Sequence, residues 1–381
     1  MASQLTRSQP DNATAESGLP HTRNVTIYGA GAAGTILALE LINAGYEGGI
    51  QLLDRRQHFY REQRWCFWGE APEVLSSLSR RQWPEWEVVS SLGRRVHGSP
   101  STPYQEVYAP DFYQWAHHRL QQHDNVSFRF GEDVETPSLN GAIQAGETLV
   151  DCTGYRETGS PSLWQSFLGW EVISERNVFP SDRATIMDHR AEGPGISFGY
   201  VLPTSTKRAF IELTCFHPEM QDATVLEPYL QRYIESHFGR VTRVERVEQG
   251  CLPMQVEQPH ASLSSNYYCI GAGAGALRAS SGYSFLAICQ QAKAVAQRIH
   301  AGHGECWRRP GKYALLDQIF LRVLRSETEM ATEIFDKLFG HAPTESLIRF
   351  LQDKSSLSDD FRIVMSLPKR PFLRALFSNA G

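Results

Sequence analysis

Gly29-Ala-Gly-Ala-Ala-Gly34 follows directly on the apolar run Val25-Thr-Ile-Tyr28. Glycines at 29, 31 and 34 allow a tight turn, a close backbone approach to a pyrophosphate and close packing of helix on strand, with Ala32 and Ala33 between them at the cofactor and the anion on the N-terminus of the helix that follows. Asp54 ends the next apolar run, Ile50-Gln-Leu-Leu-Asp54, at the separation that suits a carboxylate for the ribose hydroxyls of an adenine dinucleotide. A second glycine turn, with Gly271, Gly273 and Gly275, follows Tyr267-Tyr-Cys-Ile270 and leads into a helix. A nicotinamide dinucleotide has no need of that second turn. A flavin does need a second dipole and more backbone amides near its ribityl chain and ring, which favours FAD. Asp151-Cys-Thr-Gly154 fits the middle strand-turn of FAD enzymes built this way, with a plain strand end as the other reading.

Other residues offer acid chemistry. Glu212 lies between Ile211 and Leu213 in a β-type run. Burial there would disfavour its charged form and leave a carboxyl able to donate a proton near neutral pH. The plain alternative is a solvent-facing Glu paired with Arg208. Asp188 either assists Glu212 or serves as a turn residue ahead of His189 and Arg190. Trp65, Phe67, Trp68, Tyr200 and Phe210 either face an unsaturated ligand and stabilise a cation through their rings or form ordinary core. His117, His118 and His123 lack carboxylate or cysteine partners at ligand spacing and read as a solvated helix face, so no metal site is expected.

The elements that must position these residues follow from pattern. The first turn sits in a strand-helix-strand unit. Residues 57–110 are rich in aromatics without a clean period and read as loops and short elements lining a pocket. A helix is expected over 111–122, a buried strand around 148–151, β-type runs from about 160 to 260 and helices near 226–238 and 284–300. The expected division is a leader over 1–23, a discontinuous FAD-binding domain over 24–160 and 265–303, a substrate-binding β domain over 161–264 and a helical region over 304–381. The leader, rich in Ser, Thr, Asn, Pro and Gln, reads as disordered and has no apolar stretch of a secretory signal.

The chain has 381 residues and a net charge of -5. That gives no basic field for a nucleic-acid partner. Seven scattered cysteines without C-x-x-C spacing read as reduced thiols of a cytoplasmic protein. Apolar runs are too short to span a bilayer.

From about residue 24 to the C-terminus the sequence resembles the bacterial lycopene cyclases. The resemblance is carried by Arg64-Trp-Cys-Phe-Trp68, Ile186-Met-Asp188, Tyr200-Val-Leu-Pro203, Phe210-Ile-Glu-Leu-Thr214, Glu248-Gln-Gly-Cys-Leu-Pro253 and Ser280-Ser-Gly-Tyr-Ser284. It implies an α/β fold with a Rossmann-type FAD domain of the glutathione-reductase/hydroxylase kind, an antiparallel β substrate domain and a C-terminal helical cap. It also implies a non-redox isomerase in which FAD, kept reduced by NAD(P)H, accompanies ring closure at the ends of a linear carotenoid such as lycopene. In that reaction Glu212 is the acid, with Asp188 beside it. Phe67, Trp68, Tyr200 and Phe210 meet the substrate, and Arg55, Arg64, Trp65, Gly282, Tyr283 and Ser284 join the glycine turns at the cofactor. The chain has Leu213 where the family commonly has a second acid, and Arg278-Ala279 where it usually has His and Pro. These departures leave FAD binding intact and leave the exact substrate and acid open. A flavin monooxygenase or halogenase acting on an aromatic or prenylated molecule, a cyclase of another terpenoid and a non-catalytic flavin-binding protein remain as alternatives.

A lipophilic polyene lives in a bilayer. The stretch Leu367-Pro-Lys-Arg-Pro-Phe-Leu-Arg-Ala-Leu376 therefore reads either as an interfacial segment at the inner face of the membrane or as a cap folded on its own core.

Overall fold

The computed structural model describes residues 23–59, 63–99, 101–132, 147–154, 161–256, 262–264 and 266–377. Apart from Arg23, the expected leader lies outside the described residues.

Two sheets and a helical layer organise the chain. The first sheet has the strand order β15-β16-β9-β1-β2-β8. Its parallel part comprises β1 (Val25–Tyr28), β2 (Ile50–Asp54), β8 (Val126–Phe130), β9 (Thr148–Asp151) and β16 (Tyr267–Cys269), and β15 (Ser262–Ser264) pairs antiparallel at one edge. The central strands are continuous apolar runs because helices cover both faces of such a sheet. Helix α1 (Ala32–Asn43) follows β1 and is buried along most of its length, packing against α4 (Phe285–Ala301). Helix α2 (Ala109–Leu120) completes this layer.

The second sheet runs β14-β10-β13-β12-β11-β5-β6. It is built from β5 (Glu85–Ser90), β6 (Gly93–Gly98), β10 (Leu163–Ser174), β11 (Arg183–Asp188), β12 (Ile196–Ser205), β13 (Arg208–His217) and β14 (Val241–Met254). Every pairing is antiparallel except β5 with β11. The outer face of β10, β12 and β13 packs on α3 (Ala223–Phe238) through Leu168, Val201, Ile211 and Leu213. The inner face is left for the cavity.

The aromatic stretch after β2 forms strands. β3 (Arg64–Trp68), β4 (Arg81–Trp83) and β7 (Tyr104–Tyr108) make a small sheet ordered β3-β7-β4, while β5 and β6 extend the second sheet. The C-terminal part is helical: α5 (Gly311–Ser326), α6 (Ala331–His341), α7 (Thr344–Leu351), α8 (Leu357–Ser366) and α9 (Lys369–Phe377). Arg278 pins these helices to the core. It lies fully buried between Asp317 and Asp353, each at 3.3 Å, over the Phe350 ring, and donates to the Phe350 carbonyl.

His117 departs from the solvated face expected of it. It packs among Phe59, Phe128 and Phe130, and burial pushes its imidazole down to about 4, while His118 is exposed.

Candidate functional site

The first glycine turn is shaped by backbone contacts. Gly29 has φ +91°, and a Cβ there would lie 2.7 Å from the Cys152 carbonyl; a Cβ on Gly34 would lie 2.1 Å from the Gly29 carbonyl. Gly31 differs, since the nearest atom to its Cβ position is an Arg56 nitrogen at 3.6 Å. Only the tip of a flexible side chain therefore touches the N-terminus of α1 there, and that end carries neither a capping side-chain bond nor an acid in its first turn. Such a terminus presents unpaired N–H donors to an anion.

Asp54 stands at the edge of this turn and accepts from Ala30 N at 2.8 Å. Burial works against its charge, but Arg56, bound through Nε at 2.9 Å and Nη2 at 2.6 Å, holds it below the usual carboxylate range. Arg56, not the exposed Arg55, is thus the arginine brought to the turn, because the residue two beyond Asp54 folds back on it.

Across α1, Gly271 has φ +101° and its Cβ position is 3.1 Å from the Ala33 side chain, so the two glycine turns touch. Buried Gln291 of α4 ties the second turn together, accepting from Gly271 N at 2.8 Å and donating to the Ala274 carbonyl at 2.7 Å. Gly273 is buried in a short 3-10 turn and Gly275 is left-handed. Asp151 accepts from Thr153 N and Oγ1, shaping the third turn, and no atom of the described residues lies within 4 Å of the Cβ position of Gly154 (φ +120°). These residues fit an adenine dinucleotide: two turns with no side chain larger than a methyl, a helix end without a side-chain cap and an ionised carboxylate converge.

A cavity of about 450 Å³ lies between the inner face of the second sheet and the C-terminal helices. Strand alternation explains which residues of the aromatic segment reach it. Arg64, Cys66 and Trp68 line the cavity, whereas Trp65 and Phe67 point to the other side and stack on Phe285 at 5.0 and 5.8 Å. Phe67 is thus turned away from the substrate position expected for it, and Trp65 packs against the first residue of α4. Tyr200 lines the cavity, with its hydroxyl 2.7 Å from that of Tyr104, which lies 3.1 Å from that of Tyr283. Gly282 borders the same space with φ +70°. Trp68 and Tyr283 also line a smaller, separate cleft bordered by Ser284 and Phe285 at the start of α4.

Tyr200, Glu212, Gly169 and Glu248 form one row across β12, β13, β10 and β14. Glu212 accepts from Thr214 Oγ1 at 2.6 Å, and burial pushes its carboxyl up to about 7. Glu248 is pushed up to about 8 by burial and by the charge of Glu212, against the pull of Arg64. Leu213 faces the other side of β13, within the core under α3, so an acid at that position would point away from the cavity.

Arg64 lies at the end of this row rather than at the nucleotide turns. It contacts Glu106 at 3.1 Å, Glu171 at 2.8 Å and Glu248 at 3.1 Å. Burial opposes its charge, but the three carboxylates outweigh that and keep the guanidinium charged. Phe210 supports it from below, 4.1 Å from ring centroid to guanidinium, and so does not line the cavity itself.

Asp188 is not brought to Glu212. Irregular pairing near the end of β11 turns Ile186 and Met187 to the cavity and Asp188 away from it. Its buried carboxylate is held charged, below the usual range, by Arg190 at 2.6 Å and the Tyr233 hydroxyl at 2.8 Å. Sequence reading missed Arg56, Gln291 and Glu248 as an acid, whereas Tyr104 falls within the aromatic segment expected to line a pocket. Of these three, Glu248 alone had a signal, its place at the start of Glu248-Gln-Gly-Cys-Leu-Pro253.

Solved structures share this architecture. A geranylgeranyl bacteriochlorophyll reductase-like protein from Thermoplasma acidophilum superposes with a TM-score of 0.58 at 13% identity, covering 93% of this chain and 96% of that one. A flavin-dependent brominase superposes at 0.56 and 14% identity, covering 87% and 93%. The fold is thus that of the α/β flavoenzymes, with a Rossmann-type domain, a largely antiparallel substrate-side sheet and a helical C-terminal region. Residues 24–377 match the lycopene cyclase protein family, and the chain belongs to it. A lycopene beta-cyclase of Pantoea ananas is 24% identical over 396 aligned residues, spanning 94% of this chain and 97% of the relative.

Proposed function

We propose that this protein is an FAD-binding carotenoid cyclase, an isomerase of the intramolecular-lyase kind that closes rings at the ends of a linear polyene such as lycopene. The observation that carries this reading is Glu212, a carboxyl pushed up to about 7 on the wall of a largely apolar cavity. Near neutral pH a large share of it is protonated, which is the state a general acid needs. The bond from Thr214 to Oε1 leaves Oε2 to carry the proton.

Glu212 gives that proton to the terminal double bond of the polyene, leaving a tertiary cation. The rings of Trp68 and Tyr200 on the cavity wall offer π faces to the cation. The next double bond closes the ring, and loss of a neighbouring proton to the ionised Glu212 restores the acid. Atoms and electrons balance within one molecule.

The turns at Gly29–Gly34 and Gly271–Gly275, with Asp54, would hold FAD, and Gly282, Tyr283 and Ser284 would border it. When bound and reduced by NAD(P)H, the flavin would supply an electron-rich ring beside the developing cation. Among the described residues no helix is long and apolar enough to cross a membrane, which suits a protein that meets its lipophilic substrate from the bilayer surface.

The test is the product formed from lycopene by purified, reduced protein under anaerobic conditions. An unchanged mass with altered absorption supports isomerisation. Gain of oxygen or halogen, with stoichiometric use of NAD(P)H and oxygen, replaces the cyclase reading with a monooxygenase or halogenase.

A further inference from the structure

We propose that the outward face of α8 and α9 is a docking surface for an anionic lipid bilayer, through whose framed opening the cavity draws one end of a polyene directly from the membrane. The proposal rests on the cyclase reading for the identity of the polyene, but not for the docking.

Half of the exposed large apolar side chains among the described residues fall within 357–377, although that segment is a small part of the chain. On α8 they are Leu357 (82% exposed), Phe361 (66%), Val364 and Met365, which form one helical stripe. On α9 they are Leu373, Leu376 and Phe377 (80%). Elsewhere exposed apolar residues occur mostly singly, as on any soluble surface, whereas a contiguous patch marks an interaction site. The stripe belongs to a well-formed helix, because Ser356 and Asp359 make a reciprocal capping box at the start of α8.

Charge on the same segment is one-sided. Arg362, Lys369, Arg370 and Arg374 are exposed. The acids are used elsewhere: Asp359 is buried against Arg349, Ser346 and Ser356, and Asp360 holds Lys312 at 2.7 Å. Among the described residues, Arg374 alone of the four basic residues has an acidic partner, Glu327 at 3.2 Å. An apolar stripe rimmed by cations matches an interface of acyl chains under anionic headgroups. A second copy of this chain matches it poorly, since a two-fold contact would bring like-charged rims together.

The patch is also the mouth of the cavity. Val364, Leu373 and Leu376 are exposed and line it, with Leu367 and Phe372 behind them. A cavity of about 450 Å³ suits a drug-sized ligand. A forty-carbon chain exceeds that, so one end enters while the remainder stays in the bilayer.

The test uses the full-length, flavin-loaded protein in flotation with vesicles of phosphatidylglycerol and phosphatidylcholine, and of phosphatidylcholine alone. The parent is expected to float with the anionic vesicles and to be released by salt. L357E/F361E/F377E and R362E/R370E are each expected to lose partitioning by about tenfold or more, with unchanged thermal midpoints. The triple variant should keep ring formation on lycopene in detergent micelles and lose it on lycopene in vesicles. Failure of the parent to float, or variants that float as it does, overturns the proposal. So does a concentration-dependent dimer that these substitutions dissolve while vesicle binding is absent. A parent that floats through this patch but forms no ring in micelles or vesicles refutes the cyclase reading and leaves the docking surface standing.

Discussion

Glu212 and Glu248 stand level with each other on one sheet face, with Gly169 of the intervening strand between them. A Cβ at Gly169 would lie 2.2 Å from the Phe210 ring, so the glycine makes room for the ring that supports Arg64. Arg64 bonds Glu248, whereas among the described residues Glu212 has only Thr214 as a hydrogen-bond partner. The two carboxyls thus share a wall but not an environment. Divergent environments are how one pair of acids takes two roles.

Replacing the acid separates chemistry from folding. Glu212→Gln keeps the side-chain volume and the acceptor for Thr214, so flavin content and thermal midpoint are expected to match the parent. Ring formation should fall by about 10²–10⁴-fold, the usual contribution of a general acid. Turnover of lycopene, measured with flavin absorbance on the same samples, checks this; a fully active variant removes Glu212 from the mechanism.

The pH dependence follows from the same burial. Glu212 must be protonated to act, and its carboxyl is pushed up to about 7, so the rate is expected to hold below that pH and decline above it. Stability should move the same way. Between the ordinary carboxylate range and pH 7 the folded state holds a proton that the unfolded chain has lost, so stability falls as pH rises through this window. Glu212→Gln removes the part of that dependence due to Glu212, leaving the part due to Glu248, and should be more stable than the parent at pH 8, by on the order of 1–3 kcal/mol. Denaturant unfolding at pH 5 and pH 8 measures the difference; parallel curves for parent and variant at both pH values contradict the assignment.

The glycine turns, the strand-helix-strand unit and the acid strand were legible because each is a local pattern: a turn that only glycine can make, or an apolar period. What stayed hidden was non-local. Arg64 reads as part of a motif near the nucleotide, but its three carboxylate partners come from positions 106, 171 and 248. Asp188 looked available to Glu212 because alternation alone puts Ile186 and Asp188 on one face, and the irregular pairing that parts them leaves no sequence mark. Phe67 and Trp68 adjoin in sequence, but neighbours on a strand face opposite sides, and Trp68 is the one that lines the cavity. Leu213 stands where the family commonly has a second acid, and the carboxyl that faces the cavity beside Glu212 is two strands away, at Glu248.

The first turn offers a steric contrast between two of its glycines. Gly34→Ala places a Cβ against the backbone of Gly29 and should destabilise the turn itself, lowering both thermal midpoint and flavin content. Gly31→Ala meets nothing closer than 3.6 Å and keeps an ordinary φ of -70°, so the fold is expected to survive. The methyl would stand where a pyrophosphate approaches the start of α1, so flavin content should fall at an unchanged midpoint of the flavin-free protein. Equal flavin in Gly31→Ala and the parent would argue against that turn as the anion seat.

Gln291 links the second turn to α4, and its two hydrogen bonds can be removed separately. Gln291→Leu leaves Gly271 N and the Ala274 carbonyl unpaired in a buried place, at a cost of about 1–3 kcal/mol for each. The midpoint should drop by several degrees. Gln291→Glu keeps an acceptor for Gly271 N but, once ionised, offers no donor to Ala274, so it should fall between the parent and the leucine variant. A ligand that binds only the folded state raises the midpoint according to its affinity. If the second turn belongs to the flavin site, added FAD should therefore stabilise the parent more than either variant. A flavin-induced shift of the same size in all three would leave Gln291 a purely structural tie and move the flavin contact away from the second turn.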